Sequence, residues 1–256
     1  MAQTTAKPAA LQPLPSVGVR VAAALYLVIW ARLAISPADR STWVLENALV
    51  AGLVIVLWCC RRAFRFSNVS LYLILTFLAL HALGAHYTYS EVPYDAWWQS
   101  LTGHSLNEAL GWQRNHFDRL IHFCYGLLLV YPIREFFLRV VEVRGFWGYF
   151  LPLDVTLSTS AVYELIEWGA AEVFGGDLGM HYLGTQGDIW DAHKDMALAA
   201  LGALIAILII AGINRRLRHD PAWDWAQSMK ASAHRRSLAC NDLRPGTTPI
   251  ARLDNK

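Results

Sequence analysis

The chain of 256 residues is too apolar for an ordinary soluble domain, because 55% of its residues are hydrophobic and only 16% are charged. Its formal net charge of +2 gives no reason to expect a nucleic-acid partner. The four cysteines form no recognisable disulfide framework. These values predict an all-α membrane protein whose first partner is the lipid bilayer.

Six apolar runs are long enough to cross the hydrocarbon core of a bilayer, which takes about 20 helical residues. Lys and Arg cluster after the second, fourth and sixth runs, which by the positive-inside rule places both termini in the cytoplasm. We therefore expect a polytopic bundle of six transmembrane helices in a bacterial inner membrane. The predicted spans are residues 18–36, 43–60, 69–86, 119–139, 147–170 and 193–213.

The segments outside the six-helix domain, residues 18–213, differ from it in composition. Residues 1–17 contain three prolines and are predicted to be a disordered lead, and residues 214–256 are predicted to be a flexible cytoplasmic tail. The first span carries Arg20 and Arg32 and has no small-residue cleavage site. We therefore expect a retained helix and not a signal peptide.

The first three spans carry few charged side chains. Arg32 lies near the outer end of the first span and Glu46 lies near the outer end of the second, so a salt bridge between them would explain both. The loop that follows the third span, residues 87–117, contains three tryptophans. It predicts a short amphipathic helix on the membrane surface, or else a lid over a site.

The fourth and fifth spans bring ionisable side chains into the membrane near their outer ends, where such groups are costly unless they are paired, hydrated or functional. Asp118 and His122 are four residues apart and share one face of the fourth span. Glu164 and Glu167 lie toward the C-terminal end of the fifth span, where the helix dipole disfavours anions. Another interaction must therefore stabilise the two glutamates.

Three aspartates stand at the beginning of the sixth span, in the segment TQGDIWDAHKD. The spacing of Asp188, Asp191 and Asp195 places all three on one face of a helix. Capping of helix N-termini would explain Asp118, Asp188 or Asp191 taken singly, because a carboxylate there accepts hydrogen bonds from free N–H groups. Capping does not explain the glutamates of the fifth span.

The predicted topology brings these acids to one level of the membrane. The positive charges available in the neighbouring sequence, those of Arg119, Lys194 and two histidines, are too few to balance the negative charges of the acids. Like charges in a low dielectric must protonate or find a cation. Either a divalent metal such as Zn, Mn or Fe binds there, or the carboxyl groups take up and release protons. The candidate metal ligands are Asp118, His122, Glu164, Glu167, Asp188, Asp191 and Asp195.

Three kinds of function remain open for this polar pocket, which the topology predicts to face the periplasm. In an enzyme that acts on an envelope or lipid-linked substrate, His122 or Glu167 would be the general base, and Asp191 with the other aspartates would hold metal or water. The pocket could instead belong to a proton-coupled carrier of a small solute. It could also be a structural face buried in a membrane complex.

Three runs, DRLIHFCYGLLLVYPIRE, YELIEW and LGTQGDIWDAHKDMALAALGA, resemble the YjdF-like family of uncharacterised bacterial inner-membrane proteins, and the resemblance covers about residues 20–213. The looser order D-x3-H-x2-Y, E-x2-E, D-x3-D-x6-G is similar to VanZ-like membrane proteins. Those proteins often carry Gln where this chain has Glu167 and Asn where it has Asp195. The resemblance implies a membrane location and a shared polar face, and it implies no particular reaction.

Overall fold

The computed structural model describes residues 14–61, 64–175 and 185–230, and every regular element within these ranges is a helix. Residues 221–230 are also helical, beyond the last of the eight helices that are labelled here. The labelled helices are α1 Val17–Leu33, α2 Arg40–Cys60, α3 Asn68–His86, α4 Tyr94–Thr102, α5 Leu106–Leu110, α6 Phe117–Phe136, α7 Trp147–Phe174 and α8 Asp191–Leu217. The all-α prediction is therefore confirmed.

Four of the described helices are long and apolar enough to cross a membrane, namely α2, α3, α8 and α6 with its wider final turn, Phe137–Val141. The prediction of six spans is therefore wrong in its count. Helix α1 has only 17 residues, fewer than the roughly 20 that a bilayer requires. Helix α7 has 28 residues, but four acidic side chains and several hydroxyls dilute its apolar residues. The orientation of the termini stays a prediction.

Helices α6 and α8 form the closest pair in the bundle. A methyl group added at Gly126 of α6 would overlap the carbonyl oxygen of Ala199, and Gly202 of α8 meets the α6 backbone in the same way. Small residues allow helix backbones to approach this closely. The contact lies one turn from both His122 and Asp195. It therefore fixes these two side chains on facing helices.

Buried charges hold the opposite end of the bundle together. The Glu135 carboxylate accepts hydrogen bonds from the Ser67 backbone N–H at 2.8 Å and from the Ser70 hydroxyl at 2.5 Å. Arg139 donates to the same carboxylate at 2.6 Å, and Arg134 pairs with Asp220. These contacts join the end of α6 to the start of α3 and to the segment that follows α8. Glu135 is thus hydrogen-bonded and lies at the opposite end of α6 from Asp118.

The segment between α3 and α6 folds against the end of the bundle at which α6 and α8 begin. The predicted short helix is present as α4, and Asp95 at its start accepts hydrogen bonds from the backbone of Leu106 and Asn107 at 2.7 and 2.9 Å. Asn115 donates to the carbonyl of Val92 at 2.8 Å. These bonds order the loop, while its place on a membrane surface and its action as a lid stay predictions.

Candidate functional site

The structure brings together acids and an imidazole from three helices at the end of the bundle where α6 begins. The ligand atoms of Asp118, His122 and Asp195 all lie within 4.8 Å of one another. The Nε2 atom of His122 is 3.6 Å from an Asp118 oxygen and 3.6 Å from Glu164 Oε1. We call Asp118, His122, Glu164 and Asp195 the carboxylate–histidine cluster. Its members meet because α6, α7 and α8 pack side by side.

Two oxygens of this cluster are buried without a hydrogen bond. Within the described parts of the chain, neither Glu164 Oε1 nor Asp195 Oδ1 has a hydrogen-bond partner, and the Asp195 side chain is almost completely enclosed. Leaving a buried charged oxygen unsatisfied costs several kcal/mol, as an order of magnitude. The cluster is therefore suited to bind a cation or protons.

Asp188 and Asp191 lie beside the cluster but are already paired with basic side chains. Asp191 is 2.8 Å from Arg114 and 3.2 Å from Arg119, and Asp188 is 2.5 Å from both Arg119 and Lys194. We call these five residues the ion-pair network. The three basic side chains of the network compensate both carboxylates, so Asp188 and Asp191 need no metal ion for compensation. Arg114 was the residue that sequence reasoning missed here, because its position depends on how the preceding loop folds.

Asp188 of the network and the nearby His116 lie outside the membrane-spanning helices, and their neighbours shift the pKa values of both. The hydrogen bond from Lys194, together with the N–H of Trp190 and Arg119, lowers the pKa of Asp188 to about 2. Burial and the charges of Arg119 and Arg114 lower the pKa of His116. Asp188 is therefore ionised and His116 neutral at pH 7, and the network keeps its salt bridges there.

Glu167 lies next to the cluster and not within it. It is buried, and its carboxyl group interacts with Glu164 on the same helix and with the Tyr163 hydroxyl. Tyr163 also donates to Glu46 of α2 at 3.2 Å. Among the described residues Glu46 bonds to Tyr163 and does not form the predicted salt bridge with Arg32. Sequence reasoning noticed Glu46 as an acid in the apolar α2 but assigned it to Arg32, and it missed Tyr163.

A cavity of about 530 Å³ opens from the cluster into the bundle between α2, α3, α6 and α7. Its volume is in the range of small-molecule sites, which is roughly 300–1,000 Å³. Glu46, His81, Asp118, His122 and Tyr163 form its polar end. The cavity thus joins the carboxylate–histidine cluster to the apolar interior.

The helices and the buried polar cluster define an integral membrane protein of the helical-bundle class. The chain belongs to the family described as "Predicted membrane protein (DUF2238)", which matches residues 18–216. It is similar to the inner membrane protein YjdF of Escherichia coli (strain K12), with 38% identity over 190 residues that cover 72% of this chain and 85% of that protein. No solved structure matches the chain.

These comparisons confirm the resemblance to the YjdF-like family and the location in the inner membrane. The protein is accordingly embedded in a lipid bilayer. The looser resemblance to VanZ-like proteins stays a prediction, and neither comparison assigns a reaction.

Proposed function

We propose that the carboxylate–histidine cluster binds a divalent metal ion and that the protein uses this ion to hydrolyse an envelope or lipid-linked substrate from the periplasmic side. The observation that carries the proposal is the convergence of Asp118, His122 and Asp195 within 4.8 Å, with one Asp195 oxygen buried and unpartnered within the described ranges. An apolar environment makes such an arrangement costly unless a cation neutralises it.

The donor set fits a catalytic metal site in number and in type. Catalytic zinc sites use three protein ligands from His, Asp or Glu and leave a fourth position for water or substrate. With bonds of about 2.0–2.1 Å, tetrahedral ligand atoms lie about 3.4 Å apart. The donors of the cluster lie within 4.8 Å of one another, so metal binding would require the side chains to draw together by about 1 Å. One imidazole and two carboxylates also suit Mn²⁺ or Fe²⁺.

In this proposal Glu164 acts as the general base beside such an ion. Its Oε1 atom is 3.6 Å from His122 Nε2, is buried, and has no hydrogen-bond partner among the described residues. A carboxylate at this distance from a ligand can accept the proton of a water molecule that attacks the substrate. The geometry favours Glu164 for this role over Glu167, which interacts with Tyr163.

Metal analysis of purified protein tests the proposal. We expect the wild type to hold a stoichiometric divalent ion after dialysis and Asp195→Asn to lose it, because the amide is a poor metal ligand. Asp154→Asn is the matched control, since Asp154 is exposed and lies ten residues before Glu164 on α7, about 15 Å along the helix. If the wild type, supplied with Zn²⁺, Mn²⁺ or Fe²⁺, retains no more metal than Asp195→Asn, the metal function is refuted.

The interaction between Glu164 and Glu167 favours one alternative, a proton-coupled carrier, because two neighbouring carboxyl groups can share and pass a proton. The same protein reconstituted in vesicles distinguishes the two functions. A carrier would move protons across the vesicle membrane together with its solute whether or not metal is present. A metal-dependent hydrolase would leave an imposed proton gradient unchanged.

A further inference from the structure

The cavity that opens from the carboxylate–histidine cluster is elongated. It follows α6 from Asp118 to Phe136, a distance of about 27 Å at the rise of an α-helix. This length is close to the hydrocarbon thickness of a bilayer, about 30 Å. The cavity is therefore long enough to hold an extended hydrocarbon chain.

The walls of the cavity change from polar to apolar along its length. Beyond the polar end, the Tyr125 hydroxyl and Thr159 Oγ1 satisfy each other at 2.5 Å. From there to the far end, the lining consists of aliphatic and aromatic side chains such as Leu129, Ile133 and Phe136. A polar solute would find no hydrogen-bond donors along this described stretch. A hydrocarbon chain would meet the apolar contacts that it has within a bilayer.

Helix α2 provides the side from which a membrane molecule can reach the cavity. Of the four described spans it is the least buried, with only 6% of its most apolar stretch enclosed by the bundle. Its face toward the cavity carries Glu46, Val50, Leu53 and Leu57, spaced as residues on one side of a helix. A bond from Tyr163 of α7 to Glu46 joins this face to the rest of the bundle near the polar end. Between this hydrogen bond and the far end of the cavity, a hydrocarbon chain can enter laterally from the bilayer.

We propose that this cavity holds a long hydrocarbon tail of a membrane lipid, with the head of the lipid at the carboxylate–histidine cluster. The tail site follows from the shape and lining of the cavity, while the assignment of the lipid as substrate rests on the proposed function. A single polar end, apolar walls over the remaining length and a side open to the bilayer all match such an amphiphile. Acyl and isoprenoid chains share this chemistry.

Photolabelling of the full chain in membranes tests the tail site. The probes are a long-chain fatty acid and a polyprenol, each with a diazirine at the end remote from its head. We expect at least one probe to label the peptide that contains Phe136 and Phe137, which line the far end of the cavity. The two probes distinguish an acyl tail from an isoprenoid tail. Labelling confined to the lipid-exposed sides of α1 and α2 with both probes would overturn the proposal.

Two substitutions on α2 make the test specific. Val50→Trp fills the cavity and is expected to abolish labelling of the far-end peptide, and Leu57→Trp gives a second filling variant should the first fail to accumulate. Val44→Trp is the matched control, because Val44 is half-exposed and does not line the cavity. Equal labelling of the far-end peptide in filling and control variants would refute the tail site.

The metal measurement separates this proposal from the proposed function. Val50→Trp is expected to lose the tail and keep its metal, because Val50 lies one turn below Glu46 and outside the carboxylate–histidine cluster. Asp195→Asn is expected to lose the metal and keep far-end labelling. If far-end labelling is absent from a wild type that holds metal, the tail proposal fails alone. If labelling is present and metal is absent, the proposed function fails alone.

Discussion

Replacing Gly202 by alanine is expected to separate the two helices that carry the proposed metal ligands. Gly202 lies on α8 against the backbone of α6, and a Cβ atom there would overlap the carbonyl oxygen of Phe123 and crowd the amide nitrogen of Leu127. These are backbone atoms, which cannot rotate aside as the end of a flexible side chain can. The helices themselves must therefore shift, and with them His122 and Asp195.

The size of the effect follows from two opposing contributions. Overpacking of this kind costs about 1–3 kcal/mol, whereas replacement of glycine by alanine inside a helix contributes about 1 kcal/mol in the favourable direction. Gly212→Ala on the same helix is the matched control, because a Cβ atom at Gly212 meets nothing within 4 Å. Both variants gain the same favourable contribution from replacing glycine by alanine in a helix. The difference between their free energies of unfolding should therefore equal the cost of overpacking at Gly202, about 1–3 kcal/mol.

The assay combines unfolding of the purified variants in detergent micelles with metal analysis of the folded fraction. We expect Gly202→Ala to be the less stable variant and to bind metal more weakly, because a displacement of about 1 Å can cost a site on the order of 100-fold in function. Equal unfolding free energies for Gly202→Ala and Gly212→Ala would refute the close packing of α6 and α8. Equal metal binding by a destabilised Gly202→Ala would refute its link to the site.

Three further predictions concern single carboxyl groups. The pKa of Asp188 in the folded protein is about 2, against an ordinary value of 3.8, so its ionised carboxylate should stabilise the fold by a constant amount above pH 3.8 and lose this contribution as the pH falls through about 2. The melting temperatures of the wild type and Asp188→Asn should therefore converge near pH 2, and a difference that stays constant with pH would contradict the pairing. Glu164→Gln should keep the metal, since Glu164 is outside the proposed set of three ligands. If mass spectrometry showed that this variant had lost the metal, Glu164 would be a ligand itself. Glu135→Gln should cost about 3–5 kcal/mol, because it removes the buried carboxylate that pairs with Arg139. We expect a lower membrane protein level than for the control Glu142→Gln, whose exposed side chain pairs with Lys230; equal levels would contradict this.

The sequence was sufficient to predict the helices that hold the site, because their apolar runs are long and bounded by charge. The predicted spans 69–86 and 193–213 correspond to α3 and α8, Asn68–His86 and Asp191–Leu217. The count failed at α1 and α7, where length and dilution by polar residues matter more than the presence of an apolar run. The number of membrane spans depends on thresholds of helix length and mean hydropathy, whereas the position of a helix depends on the periodicity of its apolar residues and on the residues at its ends.

The candidate site was predictable only where spacing within one helix decides which side chains meet. Asp118 and His122 had to share a face of α6, and the structure places Asp195 beside them. Pairings across helices depend on rotation and packing, which a single sequence does not encode visibly. For that reason Glu46 was assigned to Arg32, although it accepts a hydrogen bond from Tyr163, and Arg114 was overlooked as the partner of Asp191.

The division of charge at this end of the bundle explains why a cation would bind at the cluster and not beside it. In the ion-pair network Arg114, Arg119 and Lys194 face two aspartates, so the network carries an excess of positive charge and repels a metal ion. In the carboxylate–histidine cluster three carboxyl groups surround one imidazole, and two of their oxygens lack partners within the described chain. At a separation of about 4 Å, the attraction of a cation to a negative group and its repulsion by a positive group differ in energy by several kcal/mol, even at an effective dielectric constant of about 20. A divalent ion that entered from this end would therefore be repelled by the network and attracted to the proposed site in the cluster.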